Sequence, residues 1–294
     1  MLKFLPRVLA ALALSTAPAA YAQSTADSDP ALWVVKDADT TVYLFGTVHV
    51  LKPGLSWFDE AVKTAFDKSD QLVIEMVEPD AATTQQLVQK LAINPTGPAL
   101  TQKLPADKRE AYAKALADVG IPAAALDRVD PWLAAITLSI AGLPKLGYDP
   151  NSGADKVLSA AATAAHKPVV GLETIEQQLG YFDTMPEPLQ VKFLVSTIDD
   201  YRRTGEILDT MIKTWSAGDP ETLGRTMNEE LRDTPEVARI LLTERNVRWA
   251  DWIEKRMAQP GTVFLAVGAG HLAGADSVQA QLAKHKLTAT RINY

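Results

Sequence analysis

The sequence predicts an α/β fold, with a mixed, mainly parallel β-sheet core and large helical insertions. Short apolar runs rich in β-branched residues recur along the chain, which is typical of buried strands. Between them lie segments whose apolar residues are spaced as in helices, so strands and helices alternate. The long remaining stretches, residues 80–147 and 175–258, have helical patterns punctuated by prolines.

The predicted elements follow one another in the order that such a fold requires. Strands are expected at residues 32–36, 41–45, 71–77, 167–172, 262–267 and 287–292. Helices are expected at residues 57–68, 155–165, 244–257 and 277–285.

The first elements predict a hairpin and then a parallel pair of strands. The turn-forming segment Asp37-Ala-Asp39 separates the first two apolar runs, so these strands should be antiparallel neighbours. In the next segment Phe58, Val62 and Phe66 recur at helical spacing. Strands joined by a helical crossover are parallel, so the strands on either side of this helix should end at the same edge of the sheet.

The later elements repeat this pattern and suggest a site. An alanine-rich helix precedes the strand that leads to Glu173, and another strand leads to His271. In open α/β sheets, ligands bind outside the carboxyl ends of the strands. Four predicted strand ends deliver His49, Glu75, Glu173 and His271, and we expect these side chains to converge.

The first 22 residues predict a secretory signal peptide, so the mature domain should comprise residues 23–294. Lys3 and Arg7 give a basic start, an apolar segment follows, and Ala20-Tyr-Ala22 is a small-residue cleavage site. The net charge is −7 before this basic leader is removed, so no nucleic-acid partner is expected. No later segment has the roughly 20 apolar residues of a spanning helix. We expect a soluble, exported periplasmic protein without stable membrane insertion.

The main chemical signal is a motif that occurs twice, as Gly46-Thr-Val-His49 and Gly268-Ala-Gly-His271, each directly after a strand-like run. A glycine at a strand end lets the backbone turn tightly and presents the histidine at the sheet edge. Two imidazoles at one edge suggest a metal site, and the absence of cysteine excludes thiolate ligands. The alternative is two unrelated loop histidines, because they lie far apart in the sequence.

Acidic residues near the same edge are further candidates. Glu75 interrupts an apolar run, where an ionised carboxylate is costly unless it is paired or bound to a cation. Its alternative role is that of a strand-end residue that reaches water. Glu173 has the same ambiguity, and we assign it to the surroundings of the site because Thr174 beside it is suited to cap a helix. Asp155 stands at a helix start, where acidic residues commonly stabilise the helix dipole.

Other candidates have simpler explanations. Arg245 and Asn246 lie in a helical stretch with Arg248, where a solvated charged face is the default. His166 and His285 are expected at helix ends or on the surface. The segment after Val267 loosely fits a dinucleotide fingerprint, but the acidic ribose partner is missing. No nucleophile elbow, metalloprotease helix or phosphate-binding loop occurs in the sequence.

Taken in order, these residues resemble the TraB/PrgY/GumN family, in its exported GumN-like branch. The family is related to the Tiki proteins and more distantly to the erythromycin esterase and ChaN-like superfamily. The matching stretches are Leu44-Phe-Gly-Thr-Val-His49, Leu72-Val-Ile-Glu75, Pro131-Trp132, Gly147-Tyr-Asp149, Gly153-Ala-Asp155, Gly171-Leu-Glu-Thr174, Glu244-Arg-Asn246 with Trp249, and Val267-Gly-Ala-Gly-His-Leu-Ala-Gly274.

The resemblance implies an EreA/ChaN-like core and, by analogy with Tiki proteins, a metal-dependent hydrolase that cleaves peptides or proteins. His49, His271 and Glu75 would then bind a divalent cation (Mn, Co or Zn) that activates water. Glu75 would be either the third ligand or the general base. Arg245 would stabilise an oxyanion, and Asn246 would orient the substrate or a metal ligand.

Further residues would support this site without reacting. They are Gly46, Asp155, Glu173 and Gly268. The superfamily also includes haem-binding and peptide-signal-binding members, so the alternative function is a non-catalytic protein that binds a peptide, haem or metal with the same residues.

Overall fold

The computed structural model describes residues 26–231 and 234–294. The predicted signal peptide lies outside these residues. The strands are β1 (Ala26–Asp27), β2 (Leu32–Lys36), β3 (Thr40–Thr47), β4 (Leu55–Ser56), β5 (Gln71–Met76), β6 (Val169–Glu173), β7 (Gly261–Gly268) and β8 (Thr290–Ile292). The helices are α1 (Glu60–Lys68), α2 (Ala81–Ala92), α3 (Leu100–Lys103), α4 (Arg109–Asp118), α5 (Pro131–Ala141), α6 (Ala154–Ala164), α7 (Ile175–Asp183), α8 (Glu187–Asp200), α9 (Thr204–Ser216), α10 (Pro220–Leu231), α11 (Pro235–Ala238), α12 (Glu244–Met257) and α13 (Val278–Lys284).

Six strands form one mixed sheet in the order β6-β5-β7-β3-β2-β8, and β1 pairs with β4 separately. The strands β6, β5, β7 and β3 are parallel, whereas β2 is antiparallel to both β3 and β8. The predicted α/β class is therefore confirmed. The opening hairpin and the parallel arrangement of the strands on either side of α1 are also confirmed.

Adjacent residues of each central strand face opposite sides of the sheet, as a pleated strand requires. Phe45, Leu72 and Phe264 pack on one face with residues of α1 and α6. Their neighbours in sequence, including Leu44 and Val73, pack on the other face with residues of α12 and α13. This explains the continuous apolar runs, because central parallel strands are buried on both faces.

The helical insertions form a third apolar cluster that includes residues of α4, α5 and α8. A second helical segment contacts the sheet directly. Trp215 of α9 donates a hydrogen bond from Nε1 to the carbonyl oxygen of Gly46, at 2.7 Å, and its ring packs edge-on against Phe45. The insertion thus meets the sheet at the first Gly-x-x-His motif. Within the described parts of the chain, no helix is long and apolar enough to cross a membrane.

Two element boundaries differ from the predicted ones by three residues, and the others differ by at most two. Helix α1 begins at Glu60 rather than at residue 57, and Trp57 is instead buried and stacked on Phe45 at 5.5 Å. Strand β8 begins at Thr290 rather than at residue 287, because Lys286 and Leu287 belong to the turn that follows α13. There the N–H of Leu287 bonds to the carbonyl oxygen of Leu282 at 3.0 Å, and Lys286 has a φ of 60°.

Candidate active site

The four predicted strand-end residues lie at the carboxyl edge of the sheet. His49 follows β3, Glu75 is the penultimate residue of β5, Glu173 ends β6, and His271 lies in the short helical turn after β7. An ideal Cβ built on Gly268 would lie 3.0 Å from Oε1 of Glu75, 3.6 Å from Cδ2 of His271 and 4.0 Å from Nε2 of His49. These three side chains therefore surround one point.

The glycines of both motifs allow this convergence. A Cβ on Gly46 would lie 3.0 Å from the Cα of Ala269, so the two motifs are packed backbone to backbone. The N–H of Gly268 donates a hydrogen bond to Oε1 of Glu75, at 2.7 Å. A side chain at Gly46 would push the two histidine-bearing turns apart, whereas a side chain at Gly268 would displace the carboxylate of Glu75.

Arg245 of α12 joins the acidic residues and His271. Its Nε and Nη2 bond to Glu173, and Nη2 also bonds to Oε2 of Glu75 at 2.6 Å. Its Nη1 lies 3.2 Å from Nε2 of His271 and 3.2 Å from the carbonyl oxygen of Leu241. All five N–H groups of the guanidinium thus have partners within the protein, so no N–H remains to bind an oxyanion.

Glu75 is ionised at neutral pH. Burial alone would raise the pKa of its carboxyl group, but the facing His271 and His49 rings, the Arg245 guanidinium and the N–H of Gly268 lower it to about 2. A general base works best when its pKa lies near the working pH. The environment of Glu75 therefore suits a fixed negative charge or a cation ligand better than a base.

His271 is held as a neutral ring with a defined orientation. It is 5% exposed, and burial lowers its pKa to about 3. Its Nδ1 lies 2.6 Å from Oδ1 of Asn246, whose own Nδ2 donates to the carbonyl oxygen of Asp276 at 2.8 Å. Because the Asn246 oxygen can only accept, the proton of the neutral ring is on Nδ1 and the lone pair is on Nε2. That lone pair faces Arg245 and, at 3.7 Å, Oε1 of Glu75.

His49 is oriented in a similar way but is exposed. Its Nδ1 lies 3.3 Å from Oδ1 of Asp155, and this hydrogen bond raises the pKa of the imidazole above its usual value. The side chain is 68% exposed. Asp155 is brought to this position because the N–H of Ala154 bonds to the carbonyl oxygen of Val48 at 2.8 Å. Asp155 thus contacts the site directly, besides its position at the start of α6.

Three contributing residues were not predicted as part of the site. Nε2 of Gln178 lies 3.2 Å from both Glu75 and Glu173, and the Tyr181 hydroxyl donates to Glu173 at 3.0 Å. Arg248 in turn donates to the Tyr181 hydroxyl. The sequence could have predicted Gln178 and Tyr181 as neighbours of the site. Thr174 caps a helix in which these two residues are three positions apart and therefore share a face.

The donor chemistry of the site fits a metal, although the ligands are not assembled around one. Two neutral imidazole nitrogens and a carboxylate are typical ligands of divalent zinc and similar ions. Across residues 26–231 and 234–294, however, no three His, Asp or Glu side chains are grouped closely enough to hold a metal ion. Arg245 accounts for part of this, because its Nη1 uses the single lone pair on Nε2 of His271.

We expect acid to destabilise the protein through His271. Its pKa is about 6.5 when unfolded and about 3 in the fold, so the unfolded chain binds more protons between these values. The free energy of unfolding therefore falls as pH falls below about 6.5, by about 2 kcal/mol at about pH 5. Glu75 adds a loss of the same sign below its unfolded value of 4.5. Urea unfolding at several pH values measures this dependence.

The variants His271→Gln and His166→Asn provide the comparison. The first should flatten the dependence between pH about 6.5 and about 4, and the second is the control for replacing a histidine outside the site. His166 is exposed and has a φ of 54°, a conformation that asparagine tolerates. An unchanged slope in His271→Gln would contradict the assignment of a buried, neutral ring.

The fold and the site together define an α/β protein with one polar site at the carboxyl edge of its sheet, built from two histidines, two glutamates and an arginine. The sequence profile of the TraB/PrgY/gumN family matches residues 31–291. The chain belongs to the TraB/PrgY/gumN family, which confirms the resemblance drawn from its motifs.

The relatives found by sequence comparison have names that assign no function. The chain is 25% identical over 257 residues to the uncharacterized protein YbaP of Escherichia coli strain K12, covering 86% of this chain and 92% of that protein. It is 21% identical over 277 residues to an uncharacterized protein of Treponema pallidum strain Nichols, covering 87% of this chain and 80% of that protein. No solved structure matches the chain.

Proposed function

We propose that this protein is a metal-dependent hydrolase that cleaves peptides. One observation carries the proposal: both histidines of the repeated motif bond through Nδ1 to an oxygen, of Asp155 and of Asn246, at 3.3 and 2.6 Å. Metal-binding histidines commonly have such a partner, which fixes the ring and leaves Nε2 free to bind. The ionised Glu75 lies beside both rings.

The residues proposed to hold the metal ion are His49, His271 and Glu75. A divalent ion such as Mn, Co or Zn would lower the pKa of a bound water and polarise the scissile carbonyl. Glu75 acts as a ligand in this proposal, because a carboxyl group with a pKa of about 2 is a weak base at neutral pH.

The neighbouring residues position these ligands. Asn246 keeps the proton of His271 on Nδ1, and Asp155 does the same for His49. Arg245 neutralises part of the charge of Glu75 and Glu173 and fixes both carboxylates, rather than stabilising an oxyanion. Its contact with Nε2 of His271 must open before that nitrogen can bind a metal.

The proposed location is the periplasm, after removal of residues 1–22. This proposal rests on the basic start, the apolar segment and the small-residue cleavage site of the leader.

Metal analysis combined with a peptide-library assay tests the proposed function. The mature protein, residues 23–294, is stripped with a chelator and reloaded with Mn²⁺, Co²⁺ or Zn²⁺. We expect about one ion per chain and cleavage that depends on the ion. His271→Gln should lose both, whereas His166→Asn should keep both. Cleavage that persists in the metal-free protein would contradict the proposed metal dependence. A metal-loaded protein that binds peptide or haem but cleaves no peptide would be a binding protein instead of a hydrolase.

A further inference from the structure

Arg248 is a charged residue next to the site that the proposed function does not use. Its side chain is 47% exposed. Its Nη2 donates a hydrogen bond to the Tyr181 hydroxyl at 2.9 Å, and this is its one hydrogen bond within the described parts of the chain. The other N–H groups of this guanidinium are therefore available to a ligand.

The nearby carboxylate of Glu173 does not accept a hydrogen bond from Arg248. The closest approach of the two groups is 4.0 Å, beyond hydrogen-bond distance. Glu173 is 3% exposed at its side chain and already accepts hydrogen bonds from Arg245, Tyr181 and Gln178. Arg248 is thus an oriented cation beside Glu173, a carboxylate that already accepts hydrogen bonds from three other residues.

The position of Arg248 is fixed by its surroundings. It lies one helical turn after Arg245 in α12, and the Tyr181 ring contacts both guanidinium groups, with Cζ to ring-centre distances of 5.5 Å for Arg245 and 5.3 Å for Arg248. Stacking on an aromatic ring and a hydrogen bond to its hydroxyl reduce the freedom of the side chain before a ligand arrives.

We propose that Arg248 binds the C-terminal carboxylate of a peptide substrate; this inference rests on the proposed peptidase function. An exposed, oriented guanidinium matches a carboxylate with two parallel N–H donors. The other guanidinium of the site, that of Arg245, has all its N–H groups bonded within the protein, so among the described residues of the site Arg248 offers the free donors to an anion. Recognition of a chain end makes the protein an exopeptidase at the C-terminus.

The position of Arg248 limits where such a substrate is cut. Arg248 lies 4.0 Å from Glu173, and Glu173 shares the guanidinium of Arg245 with Glu75 through contacts of 2.8 and 2.6 Å. Gln178 also joins the two carboxylates, at 3.2 Å from each. Because Arg248 adjoins the cluster that contains the proposed ligand Glu75, we expect the cleaved bond to lie near the C-terminus of the substrate.

Paired peptides test the proposal. Each sequence is prepared with a free C-terminal carboxylate and with a C-terminal amide, which removes the charge and replaces one acceptor oxygen with an NH₂ group. The wild-type protein should prefer the acid by about 10- to 100-fold in KM, because a hydrogen bond to a charged group has that strength. Arg248→Gln should remove the preference by raising KM for the acid, with kcat little changed. Lys255→Gln, an exposed cation on the same helix, should keep it.

A binding measurement separates this inference from the proposed function. Fluorescence anisotropy with labelled acid and amide peptides needs no cleavage, so it reports on Arg248 even in a protein that hydrolyses nothing. A preference for the acid that is lost in Arg248→Gln supports the inference. Equal binding of the two peptides by the wild type, or a preference that survives in Arg248→Gln, overturns it.

Discussion

Glu75→Gln is expected to destabilise the protein by about 3–5 kcal/mol, because it removes one partner of a buried ion pair. The side chains of Glu75 and Arg245 are 14% and 9% exposed. Oε1 of Glu75 accepts the N–H of Gly268, and Oε2 accepts N–H groups of Arg245 and Gln178. Whichever way the glutamine amide is turned, its NH₂ group faces a donor, so one hydrogen bond is lost as well as the charge.

The same substitution distinguishes the two roles of Glu75 in the proposed hydrolase. If Glu75 is a ligand, metal and activity are lost together, which is the outcome we expect from its low pKa. If it is a general base, activity falls by about 10²-fold or more while metal is retained. Urea unfolding, metal analysis and peptide cleavage are measured on the same preparation. Glu78→Gln is the matched control, since Glu78 is exposed and pairs with Lys156 on the surface.

Gly153→Ala is expected to disrupt the His49 side of the site. A Cβ on Gly153 would lie 2.2 Å from the carbonyl oxygen of His49, a contact with backbone that no side-chain rotation relieves. The two segments would have to separate, which breaks the bond between Ala154 and Val48 and the contact between Asp155 and His49. We expect a loss of about 3 kcal/mol in the free energy of unfolding, at the upper end of typical overpacking.

Gly153→Ala should also weaken the binding of the proposed metal ion. Because Asp155 orients the His49 ring, the affinity for the proposed ion should fall by about 10- to 100-fold in Gly153→Ala. Gly180→Ala is the matched control, since a Cβ there meets nothing within 4 Å and the position is helical. That variant should be unchanged or more stable by up to about 1 kcal/mol. Equal stability of the two variants would contradict the close approach at Gly153.

Local patterns predicted most of the sheet, because the spacing of buried apolar residues in a strand can be recognised within a few consecutive positions. The apolar run at Leu72–Val73–Ile74 and the turn residue Asp37 are examples, and both the strand and the hairpin are found. Boundaries were less predictable. Trp57 has a place in a helical pattern, but burial of its ring against Phe45 keeps it outside α1.

The candidate site was predictable only in part. The carboxyl ends of parallel strands must meet at one edge, which is enough to group His49, Glu75, Glu173 and His271. The role of Arg245 was not predictable, because its charge alone is typical of a solvated helix face. Its burial follows from the packing of α12 on the sheet, which brings it to two carboxylates from β5 and β6.

By itself the sequence determined the alternation of strands and helices, the family and the residues at the strand ends. These depend on spacing within a few positions and on motifs that are read in order. Only the tertiary structure decided the partners of each side chain: the five bonds of Arg245, the neutral ring of His271, and the free donors of Arg248. The physical reason is that charge and hydrogen-bond energies depend on distance and burial, and both are set by contacts between segments far apart in the chain.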